Sequence, residues 1–376
     1  MLGIYVHLPF CPYICPYCDF AKWPMQRSRA VEYLRALRTE IGAMPIEPAA
    51  TIFYGGGTPN AYGPDEVASL TRFLGERFPP AGPEREISIE VNPELVRAGD
   101  FETYVAAGIN RVSIGVQSFV PAEIATLGRK HAPADVARVV NLARAAGVRS
   151  ISLDLIFAVP GQTAQSWRYS LDAAIALRVD HVSTYGLTIE PGTPYERWHE
   201  REPGAFPDNT LEAEMYGIAI DSLEQAGYEQ YEISNFARPG HRCKHNENYW
   251  RNGDYLGFGV SSASYRGGVR SVHTRDLAEY VGALSAGKPI PGEAEQLRGL
   301  RAVGEAIMIA LRTAQGVALD EFKERYGVDI AERYAPVVTR YQTDGLLERT
   351  GDRLVLTRRG RFFANDVCGA FVNFSD

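Results

Sequence analysis

Along the first half of this chain, short apolar, β-branched runs alternate with longer stretches whose apolar residues recur at helical spacing. Residues 3–7 read as a strand, and residues 27–41 as a helix with Val31, Leu34, Leu37 and Ile41 on one face. The same alternation predicts strands at 51–54, 86–91, 111–116, 150–157 and 181–187, and helices at 65–78, 101–107, 134–146 and 164–177. About six βα units thus fill the first 190 residues. Strands alternating with helices predict a parallel sheet with right-handed crossovers. After Glu190 the rhythm changes. PGTPYE reads as a turn, 211–226 as a helix, 228–235 as a strand with its exit, and 238–259 as loop rich in Gly, Asn, Arg and aromatics. From about Pro291 helices dominate, at 297–313, 319–326 and 330–344. Residues 346–348 and 353–357 then flank Thr350-Gly351-Asp352, a hairpin signal, before a last helix at 361–371. Three helices followed by a hairpin is the order of a winged-helix unit.

Composition narrows the class. The chain has 376 residues, 45% hydrophobic and 23% charged, with net charge −7. This is an ordinary globular balance, which argues against disorder and against a collagen-like fibre. The acidic balance argues against a protein whose main task is gripping phosphate backbone, so no nucleic-acid partner is expected. No apolar run is long enough to span a bilayer, and no basic leader is visible in MLGIYVHLPF. Of five cysteines, three fall between Cys11 and Cys18, unlike a secreted disulfide framework. A reduced, cytoplasmic protein is expected. Asn373-Phe374-Ser375 spells a glycosylation sequon that carries no meaning without secretion. Gly257-Phe258-Gly259 lacks the third glycine and the context of a dinucleotide fingerprint.

In parallel α/β folds, sites form at the carboxyl ends of strands. There the sequence places Cys11, Cys15 and Cys18, then Gly55-Gly56-Gly57-Thr58-Pro59, Glu90 and Asn92, Gln117, Asp154, and finally Tyr185 and Glu190. Thiolates at C-x3-C-x2-C spacing favour iron–sulfur or zinc binding. Zinc would need a fourth ligand from His7, His245 or Cys243, and a C-x-x-C redox pair is a further option. Three thiolates on a four-iron cluster leave one iron open to a small molecule. Glycines after a strand let main-chain atoms approach a ligand closely.

Cys11, Cys15 and Cys18 with interleaved Tyr17 resemble the signature of the radical S-adenosylmethionine (SAM) superfamily. The wider YVHLPFCPYICPYCDF, with FYGGGTP, IEVNP, RVSIGVQSF, DLIFAVPGQT and HNENYW, resembles the oxygen-independent coproporphyrinogen III oxidase family and, within it, the haem chaperone HemW branch. The resemblance covers nearly the whole chain. It implies an α/β fold, a partial (β/α)6 TIM-like radical SAM barrel over 1–225. An α+β extension carrying HNENYW would cover 226–290, and a C-terminal winged-helix-like domain 291–376. It implies that Cys11, Cys15 and Cys18 hold a [4Fe–4S] cluster whose fourth iron SAM chelates, and that electron transfer to SAM yields methionine and a 5′-deoxyadenosyl radical. Tyr5 would lie beneath the cluster and contact SAM, and Tyr17 would lie beside the adenine. Gly56, Gly57, Glu90, Gln117, Arg129 and Asp154 match SAM-contacting positions. Thr58 and Gly186 match positions near a second SAM in the oxidase.

Two features divide the branches. The oxidases resembled have a fourth cysteine two residues after the third, where this chain has Phe20. His245, Tyr249 and Trp250 match the H-N-x-x-Y-W motif associated with haem binding in the chaperones. Imidazole can ligate haem iron, and aromatics can pack on the macrocycle. Cys243 stands close enough in sequence to compete as ligand. The expectation is a haem chaperone that delivers haem to receiving proteins such as respiratory enzymes, with peripheral membrane association through a partner. The alternative is a coproporphyrinogen oxidase that decarboxylates coproporphyrinogen III to protoporphyrinogen IX.

Overall fold

Six strands run parallel and lie side by side in chain order: β1 (Gly3–Leu8), β2 (Thr51–Gly56), β3 (Glu86–Val91), β4 (Arg111–Gln117), β5 (Ser150–Phe157) and β6 (His181–Gly186). They come from a computed structural model that describes residues 1–374. Ser375 of the sequon spelling lies outside the described residues. Helices over Arg27–Gly42, Pro64–Arg77, Asp100–Ala106, Pro133–Ala145 and Ala164–Ala176 connect the strands. The first buries Ala30, Tyr33, Leu37 and Ile41, one helical face, while Val31 is exposed and Leu34 only half-buried. Fully burying one such large apolar side chain contributes about 1.5–3 kcal/mol. Thr163 caps the helix that follows β5, accepting from the Ser166 N–H at 3.1 Å.

The sheet does not close. It continues from β6 into the antiparallel β8 (Asn235–Ala237) and the short β7 (Glu229–Gln230). On the other side β9 (Tyr255–Phe258) pairs in parallel with β1. The antiparallel strands β10 (Ala263–Arg266), β11 (Val269–His273) and β12 (Gly292–Gln296) complete twelve strands. The architecture is α/β with a partial TIM-like barrel. Residues 238–259 are not all loop, because they hold the helix Lys244–Trp250 and strand β9. The helix Leu277–Ser285 packs on the helix Arg27–Gly42, and buried Glu40 joins them by accepting from the Gly259 N–H (2.9 Å) and the Tyr280 hydroxyl.

A second core gathers Val303, Ile307, Leu311, Val317, Leu354 and Phe371 with their neighbours. Here β13 (Val317–Ala318), β14 (Leu347–Thr350) and β15 (Arg353–Leu356) form a three-stranded antiparallel sheet behind the helices Gly299–Leu311 and Ala335–Thr343. The stretch expected as one helix at 330–344 breaks at Tyr334, just before Pro336. The last helix is likewise divided, into Arg358–Phe362 and Ala364–Val372. This unit meets the larger one through the Ile233 N–H donating to the Arg312 carbonyl (3.1 Å) and Phe362 edge-on to Tyr216.

Candidate functional site

Alternate positions of β3–β6 are polar, and those of β4–β6 bond to one another across the strands. Arg111 donates to Ser150 (2.8 Å), Ser113 to Asp154 (2.8 Å), and Ser152 pairs with His181 (2.8 Å). The intervening Val112, Ile114, Ile151, Leu153 and Val182 are buried in the apolar core. A period of two thus divides each strand between a polar and an apolar face. At the carboxyl ends of these strands a cavity of about 390 Å³ opens.

The chain after β1 forms one wall of this cavity. Its base is tied by the Trp23 N–H to the Pro9 carbonyl (2.9 Å) and the Met25 N–H to the Cys11 carbonyl (2.8 Å). His7 pairs with the Ala21 carbonyl at 2.8 Å. Cys11, Cys15 and Cys18 are free thiols lining the cavity. Burial pushes the Cys11 thiol up to about 11, opposed by a hydrogen bond with Thr58. Burial also raises Cys18. Metal binding to these groups would therefore release protons.

Gly56 and Gly57 supply the next wall. Gly56 has φ +102°, and a β-carbon there would lie 2.4 Å from the His7 ring. One on Gly57 would lie 2.6 Å from the Leu8 carbonyl oxygen. The glycines thus let β2 close against the chain that leads into the cysteines. Glu90 faces the cavity beside them. Burial, then the Asp154 carboxylate, pushes Glu90 up to about 8, against a backbone hydrogen bond from Gly56. Burial raises Asp154 too, opposed by the Ser183 and Ser113 hydroxyls and by Arg111. Gln117 sits at a register shift in β4 with φ +65°, a strained conformation of the kind that clusters at functional sites. Arg129 donates to the Gly115 carbonyl (2.7 Å) and to Asn92 Oδ1 (2.8 Å), and its buried Nε has no hydrogen-bond partner. Tyr17 packs on the small apolar cluster of Leu127, Ile156 and Val159.

The cavity brings together Cys11, Cys15, Cys18, Tyr17, Gly56, Gly57, Thr58, Glu90, Gln117, Arg129, Asp154 and Gly186. Tyr5 lies elsewhere: its hydroxyl meets His7 Nδ1 (3.0 Å), and with Tyr249 and Trp250 it lines a second cavity. His245 opens on neither cavity. It is 1% exposed, with Nδ1 against Thr51 Oγ1 (2.8 Å), Nε2 against the Tyr249 hydroxyl (2.8 Å), and its ring stacked on Phe53. Burial lowers its pKa to about 3, so the ring is neutral. Cys243 is buried beside Glu86, whose carboxylate also accepts the first N–H groups of the helix Lys244–Trp250 at 3.1 Å. Sequence reasoning missed Tyr13 and Lys22 on the first cavity. Their places inside and just after the cysteine motif were the available signal.

Residues 5–174 match the Radical SAM superfamily and residues 301–363 the HemN C-terminal domain. The chain is 35% identical to heme chaperone HemW of Bacillus subtilis, covering 99% of each. It is 37% identical to heme chaperone HemW of Mycobacterium tuberculosis, over 97% of this chain and 93% of that one. The chain belongs to the radical SAM, HemN-like family, in its HemW branch. Membership implies a [4Fe–4S] cluster and SAM. The fold is similar to that of coproporphyrinogen III oxidase (HemN) from Escherichia coli, with TM-score 0.87 at 24% identity over 100% of this chain and 90% of that one. The cavity fits such groups. Three free thiols share it with main-chain glycines, two half-buried carboxylates and a guanidinium whose Nε lacks a partner. Among the described residues no helix is long and apolar enough to cross a membrane.

Proposed function

We propose that this chain is a haem chaperone that holds a [4Fe–4S] cluster and SAM, binds haem and delivers it to receiving proteins. The observation that carries the reading is Phe20. A phenyl ring, not a fourth thiol, stands on the cavity wall two residues beyond Cys18, in a chain that matches HemW relatives nearly end to end. In this reading Cys11, Cys15 and Cys18 hold the cluster, which supplies an electron-transfer centre. Main-chain atoms of Gly56 and Gly57 and the carboxylate of Glu90 receive the ammonium of SAM. Arg129 pairs with its carboxylate, Asp154 takes ribose hydroxyls, Gln117 closes the far wall, and Tyr17 flanks the adenine. Thr58 and Gly186 serve as rim contacts, while Tyr5 stands outside this cavity, on the second one. Tyr249 and Trp250 meet the porphyrin, with His245 behind Tyr249. We take the units as 1–225, 226–290 and 291–376. A cytoplasmic protein handing haem to respiratory enzymes, and touching membranes through them, completes the reading.

The test uses anaerobically reconstituted, reduced protein. Haem co-eluting with the chain on a sizing column, with no protoporphyrinogen IX formed from coproporphyrinogen III and SAM, is the expected result. Accumulation of protoporphyrinogen IX would establish the oxidase instead.

A further inference from the structure

The turn that follows the cysteines carries a lysine whose backbone is fixed on both sides. The Ala21 carbonyl before Lys22 meets His7 Nε2 (2.8 Å), and the Trp23 N–H after it donates to the Pro9 carbonyl (2.9 Å). Lys22 therefore cannot drift away from the cysteine loop. Its half-buried side chain lies on the wall of the first cavity, and its Nζ donates to the Cys18 carbonyl oxygen. Among the described residues no carboxylate forms an ion pair with it.

The ammonium also acts on the sulfurs. Burial raises the thiols of Cys11 and Cys18. The Thr58 hydroxyl opposes it at Cys11, the Phe20 N–H opposes it at Cys18, and Lys22 opposes it at both. The other cation on the cavity wall, Arg129, stands beside Tyr17, Tyr13 and Cys15. In the reading above Arg129 pairs with the SAM carboxylate, which cancels its charge. Of the two cations lining the cavity, Lys22 then keeps its own. Reduction adds one negative charge to a cluster whose three thiolates already make it anionic. A fixed positive charge beside it stabilises the reduced form, and water screens that attraction only in part at a half-buried place.

We propose that Lys22 tunes the reduction potential of the cluster, raising it by holding an ammonium against the Cys11 and Cys18 side of the cavity. This rests on the reading of Cys11, Cys15 and Cys18 as the cluster ligands. It gives Lys22 a role beyond bracing the loop, for which a bond to the Cys18 carbonyl would suffice.

The experiment is an anaerobic dithionite titration of the reconstituted full chain without SAM, followed by electron paramagnetic resonance of the reduced cluster. It compares the wild type with Lys22→Gln, Lys22→Met, Lys22→Arg and, as a control, Lys130→Gln. Lys130 is exposed and lies over the Tyr13 ring, 4.8 Å from its centroid, rather than on a cysteine carbonyl. Iron content and circular dichroism melts accompany each protein. Both neutral variants of Lys22 are expected to make the cluster about tenfold harder to reduce, which is about 59 mV for one electron. Lys22→Arg should stay near the wild-type potential, and Lys130→Gln should move it far less than Lys22→Gln. An unchanged potential in both neutral variants, a shift seen only after SAM is added, or an equal shift in Lys130→Gln would overturn the proposal. So would equal loss of iron from Lys22→Arg and Lys22→Gln, which marks a strut for the loop. If the wild type itself takes up no iron, the cluster reading fails.

Discussion

The two cavities share a wall and little else. Asp19 and Phe20 line both. On one side stand thiols, main-chain glycines and paired carboxylates, set at the ends of parallel strands by a polar stripe that runs the depth of the sheet. On the other stand phenol and indole rings contributed mainly by the helix Lys244–Trp250 and the strands β9 and β10. The first surface suits a compact polar cation and a metal cluster. The second suits a broad flat molecule. One short loop, carrying three cysteines, thus separates two chemistries supplied by two different parts of the chain.

The strongest way to break this comparison is to replace Cys11, Cys15 and Cys18 together by Ala. The broad iron–sulfur absorbance near ~400 nm is expected to vanish. Haem retention on a sizing column is expected to persist, and its loss would show that the cavities are not separable. Next comes packing. Gly56→Ala places a β-carbon on the His7 ring at positive φ and is expected to cost about 2–4 kcal/mol in urea unfolding. His245→Ala strands the Thr51 and Tyr249 hydroxyls and is expected to cost about 2–4 kcal/mol. Trp250→Ala should lower haem affinity with a smaller change in stability, and the reverse order would erase the distinction between a supporting and a lining residue.

The third test is pH. Glu90 keeps its proton up to about 8 in the folded chain, above the ordinary 4.5, chiefly because it is buried. A cationic ligand favours the carboxylate, so binding below pH 8 releases a proton. SAM affinity, measured by anaerobic calorimetry, is expected to rise with pH towards about 8, by at most about tenfold per unit. Glu90→Gln should flatten the profile, while haem affinity should show no such dependence on Glu90. The free protein's stability moves the other way. The folded state binds this proton more tightly than the unfolded state does. That contribution is full below the unfolded value and is lost as pH rises through about 8. The smallest expected effect is Phe20→Cys. The ring is 61% exposed, so urea unfolding should move by less than about 0.5 kcal/mol, and protoporphyrinogen IX should still not form.

The six parallel strands were legible because each βα unit carries its own periodicity, and most of the first cavity followed from reading strand ends. What sequence hid depends on partners far along the chain. Strand β9 read as loop because Gly257 and Gly259 interrupt its apolar pattern. Those glycines answer to close approaches that spacing does not show: a β-carbon on Gly257 would lie 2.1 Å from the carbonyl of Ala263 on the next strand, and one on Gly259 2.2 Å from the hydroxyl of the distant Tyr33. His245 is similar. Its burial depends on Thr51, 194 residues away, and its backbone N–H on Glu86, 159 residues away. Spacing inside HNENYW carries no trace of either. Tyr5 matched a SAM-contacting position in sequence, yet in the folded chain its ring stacks on Phe53 and lines the aromatic cavity.

The pairing of β1 with β9 has a consequence for synthesis. The cysteines leave the ribosome first, but the strand that covers the free edge of β1 and the Arg275 that holds the Asp19 carbonyl come roughly 250 residues later. At about 5–20 residues per second, the nascent chain carries three unpinned thiols and an open strand edge for on the order of ten to fifty seconds. The long-range contacts that brace the cysteine loop are therefore complete only after about two-thirds of the polypeptide has been made.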